Sequence, residues 1–207
     1  KAKQIEERFY QILDLDAQNL PPDGAIVAMR IRKVTMAEAA SEGYQFKPFD
    51  DQQGNTWYPV GNISPHTFID SDTMSILYVL YGSSIAPDAE PVVDIVLEDY
   101  TMGEDGYGYL QQKYQNDPTA KIWGWLDYQI PGGNNDQPLA GEISRENGAH
   151  WVLLYYVTSQ DPKLPVVREV ITVHKNSEWS PAPPKPGVDY QPVCDLTHLL
   201  QANECLP

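Results

Sequence analysis

The chain has 207 residues, and its 29 Asp and Glu outweigh 14 Lys and Arg, which gives a formal net charge of −15 at pH 7. Because nucleic acids and anionic membrane surfaces are bound through clustered basic side chains, this excess of acid argues against both kinds of partner. Hydrophobic residues form 42% of the chain, enough for a folded core, while 18 Pro and 14 Gly indicate many turns. No apolar run approaches the roughly 18 residues that cross a bilayer.

The N-terminal segment has the spacing of an amphipathic helix. Apolar residues recur every three or four positions between Lys1 and Gln18, with charged residues between them. Pro21 and Pro22 end this pattern, because proline cannot continue a helix. The sequence begins at Lys1 rather than Met, so we expect a processed or trimmed chain, preceded by a segment such as a signal peptide or a membrane-anchoring helix.

After Pro22 the apolar pattern changes to the alternation that is typical of strands. The predicted strands are Ala25 to Val34, Thr56 to Val60, Met74 to Tyr81, Val92 to Asp99, Lys121 to Ile130, Leu139 to Arg145, His150 to Thr158 and Val166 to His174. Residues 76–81 and 151–157 are apolar at every position, which predicts a central place in the sheet.

Two short helices are predicted between the strands. The first runs from Met36 to Glu42, because Thr35 and Glu38 match a capping box and Gly43 suits the left-handed position at the end of a helix. The second and weaker one runs from Tyr109 to Gln115.

Asn147-Gly148 is the strongest turn signal in the sequence. This dipeptide supplies the two positive φ angles of a type I′ turn, so the strands on either side of it are predicted to form an antiparallel hairpin.

Together these patterns predict one α+β domain that is β-rich overall. An N-terminal amphipathic helix (residues 1–20) packs on a mainly antiparallel β-sheet body (residues 21–180). A proline-rich strap and a loop bounded by two cysteines follow (residues 181–207).

Cys194 and Cys205 are the only cysteines, and they lie close together at the C-terminus. This placement favours a disulfide, which implies an oxidising compartment and an extracytoplasmic protein: periplasmic, cell-surface or secreted. The alternative is a pair of buried free thiols.

Two acidic segments are candidate calcium sites, because calcium prefers oxygen ligands from irregular loops. One contains Asp70 and Asp72, and the other contains Glu98, Asp99, Glu104 and Asp105 beside two glycines. The alternative is that these carboxylates are solvated and cap turns. No other cofactor is predicted.

Aromatic residues suggest a ligand-binding surface. Trp123, Trp125 and Asp127 alternate on one face of a predicted strand, where two indoles and a carboxylate could stack on a sugar. Tyr107 and Tyr109 would add contact area. The alternative is that the tryptophans belong to the core.

No catalytic residue is predicted. A Gly-x-Ser-x-Gly turn is missing from the sequence, and the four histidines are dispersed. A secreted hydrolase that uses two of the acidic residues named above is the weakest alternative.

The order of elements resembles the soluble headpieces of type IV pilins and type II secretion pseudopilins. In that family the stripe of Ala2, Ile5, Phe9, Ile12 and Leu13 would continue an apolar helix that precedes Lys1, and the two cysteines would match a C-terminal disulfide. The resemblance implies a structural subunit that acts through protein partners, for example by self-assembly into a filament or surface complex. The alternative is an extracellular carbohydrate- or ligand-binding β-sandwich or barrel.

Overall fold

A computed structural model gives the fold of this chain. It describes residues 9–10, 24–43, 46–63, 73–82, 89–124, 142–144, 152–171, 173–174, 191, 193 and 206. In chain order the strands are β1 (Phe9–Tyr10), β2 (Ile26–Thr35), β3 (Phe49–Asp50), β4 (Thr56–Asn62), β5 (Thr73–Tyr81), β6 (Val92–Asp99), β7 (Lys121–Trp123), β8 (Glu142–Ser144), β9 (Val152–Thr158) and β10 (Val173–His174). The helices are α1 (Met36–Ser41), a 3₁₀ turn (Tyr100–Met102) and α2 (Gly106–Lys113).

The strands form two four-stranded antiparallel sheets and one small strand pair. The first sheet has the order β2-β5-β4-β3. In the second, β9 lies between β6 and β7 and also pairs with β8. β1 pairs with β10. The prediction of a mainly antiparallel, β-rich fold is therefore confirmed, although it placed all the strands in one sheet.

The two sheets pack face to face through a shared apolar core. Met29, Ile31 and Leu77 of the first sheet belong to the same buried cluster as Leu154 and Tyr156 of the second. Each fully buried side chain of this size contributes about 1.5–3 kcal/mol through the hydrophobic effect. The sheets thus form a sandwich.

The outer face of each sheet is also apolar. This explains why the central strands carry apolar residues at every position rather than at every second one. On the first sheet Trp57, Ile76 and Tyr78 are buried on the outer side. On the second sheet Leu153 and Tyr155 are buried there. The prediction of a central strand is confirmed for residues 76–81 in β5 and, from Val152 onward, for the segment 151–157 in β9.

Helix α1 begins at the predicted capping box. The backbone N–H of Thr35 donates to Oε2 of Glu38 at 2.7 Å, and the N–H of Glu38 donates to Oγ1 of Thr35 at 3.1 Å. Gly43 follows the helix with a φ of +63°. The capping box could be predicted from the sequence, because its two residues lie only three positions apart.

The predicted N-terminal helix is wrong at the residues of that segment that the structure describes. Phe9 and Tyr10 form β1, with Phe9 opposite His174 and Tyr10 opposite Val173. Aromatic residues are favoured in strands, and helical spacing could not reveal that a pairing partner lies near the other end of the chain. The remainder of residues 1–20 is outside the described residues.

The predicted strand Val166 to His174 is also too long. Residues 166–171 are not in a strand, and only Val173–His174 forms one. Val167 instead links the two sheets: its N–H donates to the carbonyl of Val92 at 2.8 Å, and its carbonyl accepts from the N–H of Ile26 at 2.9 Å. The backbone N–H and C=O groups of Val167 are thus both hydrogen-bonded, although residues 166–171 do not form a strand.

The predicted hairpin is confirmed as far as its strands are described. β8 pairs with β9 antiparallel, with Glu142 opposite Leu153. The Asn147-Gly148 turn, Cys194 and Cys205 lie outside the described residues. The type I′ turn and the disulfide therefore stay predictions. Within the described ranges, no helix is long and apolar enough to span a membrane.

Candidate functional site

The chain turns sharply where β6 ends, and acidic side chains fix that turn. Oδ1 of Asp99 accepts from the N–H of Met102 at 3.3 Å, which caps the 3₁₀ turn. Gly103 ends this turn with a φ of +79°, a value that favours glycine. Oδ1 of Asp105 accepts from the N–H of Gly108 at 2.8 Å and caps α2. Residues 99–113 are called the capped segment below.

Two glutamates complete this arrangement. Oε2 of Glu98 accepts from the N–H of Gly106 at 2.5 Å, and Oε2 of Glu104 accepts from the N–H of Asp99 at 2.6 Å. Glu98, Asp99, Glu104 and Asp105 therefore all lie at the turn between β6 and α2. Each of these four carboxylates accepts a hydrogen bond from a backbone N–H group.

These contacts fit the capping alternative better than a calcium site. Calcium takes roughly six to eight oxygen ligands, whereas these oxygens are engaged with N–H donors. In the part of the chain that the structure describes, no group of three or more His, Cys, Asp or Glu side chains is placed to hold a metal ion. Asp70 and Asp72 lie outside the described residues, so calcium binding there stays a prediction.

Glu98 is the buried member of the acidic group. Only 3% of its surface is exposed. Burial raises the pKa of its carboxyl above the usual range, the N–H of Gly106 opposes that rise, and the negative charge of Asp105 adds to it. Keeping Glu98 ionised therefore costs the folded protein free energy. Its hydrogen bond to Gly106 joins β6 to the start of α2.

The 3₁₀ turn presents two large apolar side chains to solvent. Tyr100 is 55% exposed and Met102 is 44% exposed. Among the described residues, the one other large hydrophobic side chain with comparable exposure is Val193. Both outward-facing residues lie between the cap at Asp99 and the left-handed Gly103. The turn is therefore held by its own hydrogen bonds rather than by burial of these side chains.

Helix α2 covers the outer face of the second sheet and borders a groove. Leu110 is fully buried and anchors the helix on that face. Beside it lies a groove of about 320 Å³, named here the tyrosine groove. Its lining residues are Tyr107, Gln111, Tyr114, Ala120 and Ile122.

One wall of the tyrosine groove is fixed by Asp94 of β6. Its Oδ2 accepts from Nζ of Lys113 at 2.7 Å and from the hydroxyl of Tyr114 at 2.8 Å. Nζ of Lys113 lies 5.9 Å from the ring centroid of Tyr109 and 5.5 Å from that of Tyr114. Burial and the hydrogen bond to Asp94 raise the pKa of Tyr114, so its hydroxyl stays protonated.

The predicted aromatic ligand set is divided by the second sheet. Trp123 packs against the core between the sheets, and its Nε1 donates to Oγ1 of Thr158 at 2.8 Å. Tyr107 and Tyr109 pack on the outer face of the same sheet. Trp123 therefore follows the core alternative and does not share a surface with the tyrosines. Trp125 and Asp127 lie outside the described residues.

Sequence reasoning missed several parts of this surface. Gln111, Ala120 and Ile122 line the groove, and Asp94 holds its wall, but none was predicted as a site residue. The pairing of β7 with β9 places Ile122 opposite Val157, and this long-range register has no local signal. The start of α2 could have been placed earlier, because aspartate, here Asp105, is a favoured N-cap residue.

Comparison with known proteins identifies no relative: no protein-family model, no curated protein and no solved structure matches this chain.

Proposed function

We propose that this protein is a non-enzymatic structural or assembly subunit that acts through protein–protein contacts. The observation that carries the proposal is the outward placement of Tyr100 and Met102 on a turn with capped ends. Tyrosine and methionine are enriched in protein interfaces. Because the turn is already fixed by Asp99 and Gly103, a partner would bury these side chains without having to order the backbone first.

The surroundings of this turn define the chemistry of the partner surface. Glu104 is partly exposed and Asp105 is exposed, both directly after Gly103. A complementary surface therefore needs an apolar recess for Tyr100 and Met102, with basic side chains at its rim. Opposite charges at a rim speed association and select the partner more than they add affinity.

One specific form of this proposal is a filament subunit that lies outside the cytoplasm. Its support is the pilin resemblance and the predicted disulfide between Cys194 and Cys205. The strand at Phe9–Tyr10 removes part of the helix on which that resemblance relied. The contact surface at the capped segment does not depend on that helix, so the proposal of an assembly subunit holds for a filament or for another surface complex.

Affinity capture with two matched variants tests the proposal. Tyr100→Ser/Met102→Ser removes the apolar contact while leaving Asp99 and Gly103 in place. Lys47→Ser/Gln52→Ser changes two exposed residues of the first sheet's loops and serves as the control. We expect the wild type and the control to retain the same protein, or a second copy of this chain, and the Tyr100/Met102 variant to lose it. Equal capture by all three proteins would refute the contact surface.

The tyrosine groove favours a second candidate, a carbohydrate-binding module of the sandwich type. A volume of about 320 Å³ lies at the small end of ligand pockets, and the groove combines tyrosine rings with the amide of Gln111. A glycan array probed with the wild type and with Tyr107→Ala/Gln111→Ala tests this function. Binding that the double variant loses would favour it, and an array without hits would leave the assembly role.

A further inference from the structure

The first sheet contains a buried arginine that is surrounded by aromatic rings. Arg30 of β2 lies opposite Tyr78 of β5. Its Cζ atom is 5.3 Å from the ring centroid of Phe49 and 5.3 Å from that of Trp57. The rings of Phe49 and Tyr78 meet edge to face, with centroids 4.9 Å apart. Only 6% of the surface of Arg30 is exposed.

Among the residues that the structure describes, none forms a hydrogen bond with the guanidinium of Arg30. Its Nε is enclosed and makes no hydrogen bond. In the described part of the chain, no ion pair joins Arg30 to a carboxylate. Nε is the only nitrogen of this side chain that is both enclosed and without a hydrogen bond. The two terminal nitrogens are therefore the donors that an external acceptor can reach.

The acceptors around Arg30 are committed to other donors. Asp51 accepts from Nε1 of Trp57 at 2.9 Å and from the backbone N–H groups of Gln53 and Asn55, each at 2.9 Å. The hydroxyl of Tyr78 accepts from Nη1 of Arg32 at 3.5 Å, and Nη2 of Arg32 pairs with Glu42 at 3.1 Å. Arg30 and Arg32 lie on the same face of β2. Among the described residues, the side chain of Arg32 has hydrogen-bonding partners and that of Arg30 has none.

An unpaired buried guanidinium is unusual. Burying a charge is costly unless hydrogen bonds or an opposite charge compensate it. The cation–π contacts with Phe49 and Trp57 offset part of that cost. Burial lowers the pKa of Arg30, while Asp51 and Tyr78 raise it, but an arginine stays charged at pH 7. Its terminal donors remain available to an acceptor from outside.

We propose that Arg30 is the recognition residue of a carboxylate-binding site, with Phe49 as the apolar wall beside it. The planar guanidinium fork matches the two oxygens of a carboxylate. The half-buried ring of Phe49 can contact an apolar group attached to that carboxylate. Asp51 lies close enough to act on Arg30 electrostatically, and this negative charge disfavours a doubly charged phosphate. The inference does not depend on the capped segment or on the tyrosine groove.

Nuclear magnetic resonance of the arginine Nε–H groups tests the site. The chain has five arginines, so the ¹⁵N spectrum of these groups is simple, and Arg30→Met assigns the Arg30 signal by its loss. Sodium benzoate is the probe, with sodium chloride and inorganic phosphate at equal ionic strength as comparisons. We expect a saturable shift of the Arg30 signal with benzoate and no saturable shift with either comparison salt.

A second arm distinguishes the source of the carboxylate. The tripeptide Ala-Ala-Phe is titrated with a free C-terminus and with an amidated one. Saturable binding of the free peptide alone assigns the site to peptide carboxylates, whereas binding of benzoate alone assigns it to small acids. Either result supports the proposal.

Matched variants separate recognition from folding. Binding, followed through the backbone amide of Thr56 beside Trp57, should fall about tenfold or more in Arg30→Met, the loss expected for a charge-assisted pair. Arg32→Met should bind normally, and Phe49→Leu should bind more weakly.

All variants must retain the wild-type pattern of amide signals, and Phe49→Leu keeps the test open if Arg30→Met does not fold. Absence of saturable binding of both carboxylate probes to the wild type, or equal loss in the Arg32 variant, would overturn the proposal.

Discussion

The side chain of Glu98 and the backbone of Gly106 are joined by a 2.5 Å hydrogen bond that connects the end of β6 to the first residue of α2. A Cβ atom at position 106 would lie 3.1 Å from Oε2 of Glu98 and 3.4 Å from Cδ2 of Tyr155. The close approach therefore favours glycine at this position, because a Cβ would have to displace its neighbours by a few tenths of an ångström. The strand, the capped turn and the helix are held as one unit, which keeps Tyr100 and Met102 facing outward.

The pH dependence of stability tests this joint. Because the pKa of Glu98 is raised in the folded state, its contribution is most favourable below the ordinary glutamate pKa of about 4.3 and is lost as pH rises through the folded pKa. Glu98→Gln keeps an acceptor for Gly106 and removes the charge. We expect this variant to be more stable than the wild type at pH 7 and similar to it near pH 4, measured by urea unfolding.

Glu38 provides the control of opposite sign. The N–H and hydroxyl of Thr35 lower the pKa of Glu38, so its contribution is present above about pH 4.3 and is lost as pH falls through the folded pKa. Glu38→Gln should therefore be less stable than the wild type at pH 7. The same sign of change in both variants would contradict the account of Glu98.

The cap of α2 depends on a contact between Asp105 and Gly108. Asp105→Ala should lower the free energy of unfolding by about 1 kcal/mol, the usual value of an N-cap. A Cβ at position 108 would collide with the carboxylate of Asp105. Gly108→Ala should therefore destabilise the wild type but stabilise the Asp105→Ala variant by roughly 0.5–1 kcal/mol, as alanine does within a helix.

A double-mutant cycle measured by thermal unfolding compares these proteins. An identical effect of Gly108→Ala in both backgrounds would contradict the cap.

Local signals predicted β2, α1, β4, β5, β6 and β9, but they could not predict long-range pairing or the short strands β1 and β3. Val92 to Asp99 and the capping box at Thr35 were predicted because their determinants lie within a few residues. The division into two sheets depends on which strands pair, such as β2 with β5 and β6 with β9, and these pairs join distant parts of the chain. Alternation alone does not specify which strands pair.

The candidate site shows the same limit. The sequence placed Glu98 and Asp105 in one acidic segment, because they are close in the chain. It could not distinguish ligation of an ion from capping of N–H groups, since that depends on the direction of each oxygen. Arg30 was not singled out, because its aromatic neighbours Phe49 and Trp57 come from β3 and β4.

Calcium titration tests the capping role of the acidic group. Because Asp99 and Glu104 are engaged with backbone donors, a calcium-specific rise in melting temperature should not originate there. The difference between the shifts caused by calcium and by sodium at equal ionic strength should be the same in the wild type, Asp99→Asn and Glu104→Gln. Loss of a calcium-specific shift in either variant would restore the metal site, and Asp70→Asn tests the other acidic loop separately.

Stability measurements distinguish Arg30 from its paired neighbour. Arg30→Met removes an unpaired buried charge, so the free energy of unfolding should stay within about 1 kcal/mol of the wild type or increase. Arg32→Met removes a half-buried side chain that pairs with Glu42 and should lower it. A loss of roughly 3 kcal/mol in Arg30→Met, as expected on breaking a buried pair, would mean that Arg30 has a structural partner.

Site-specific photo-crosslinking at the capped turn is the most direct test of the proposed contact surface. A benzophenone amino acid replaces Tyr100 in one protein and Gln52, an exposed residue of the first sheet's loops, in the control. Both proteins are irradiated in the native mixture of proteins from their source. We expect a crosslinked product of defined mass from position 100, containing another protein or a second copy of this chain, and none from position 52. Absence of a product at position 100, or the same products at both positions, would contradict the proposed contact surface.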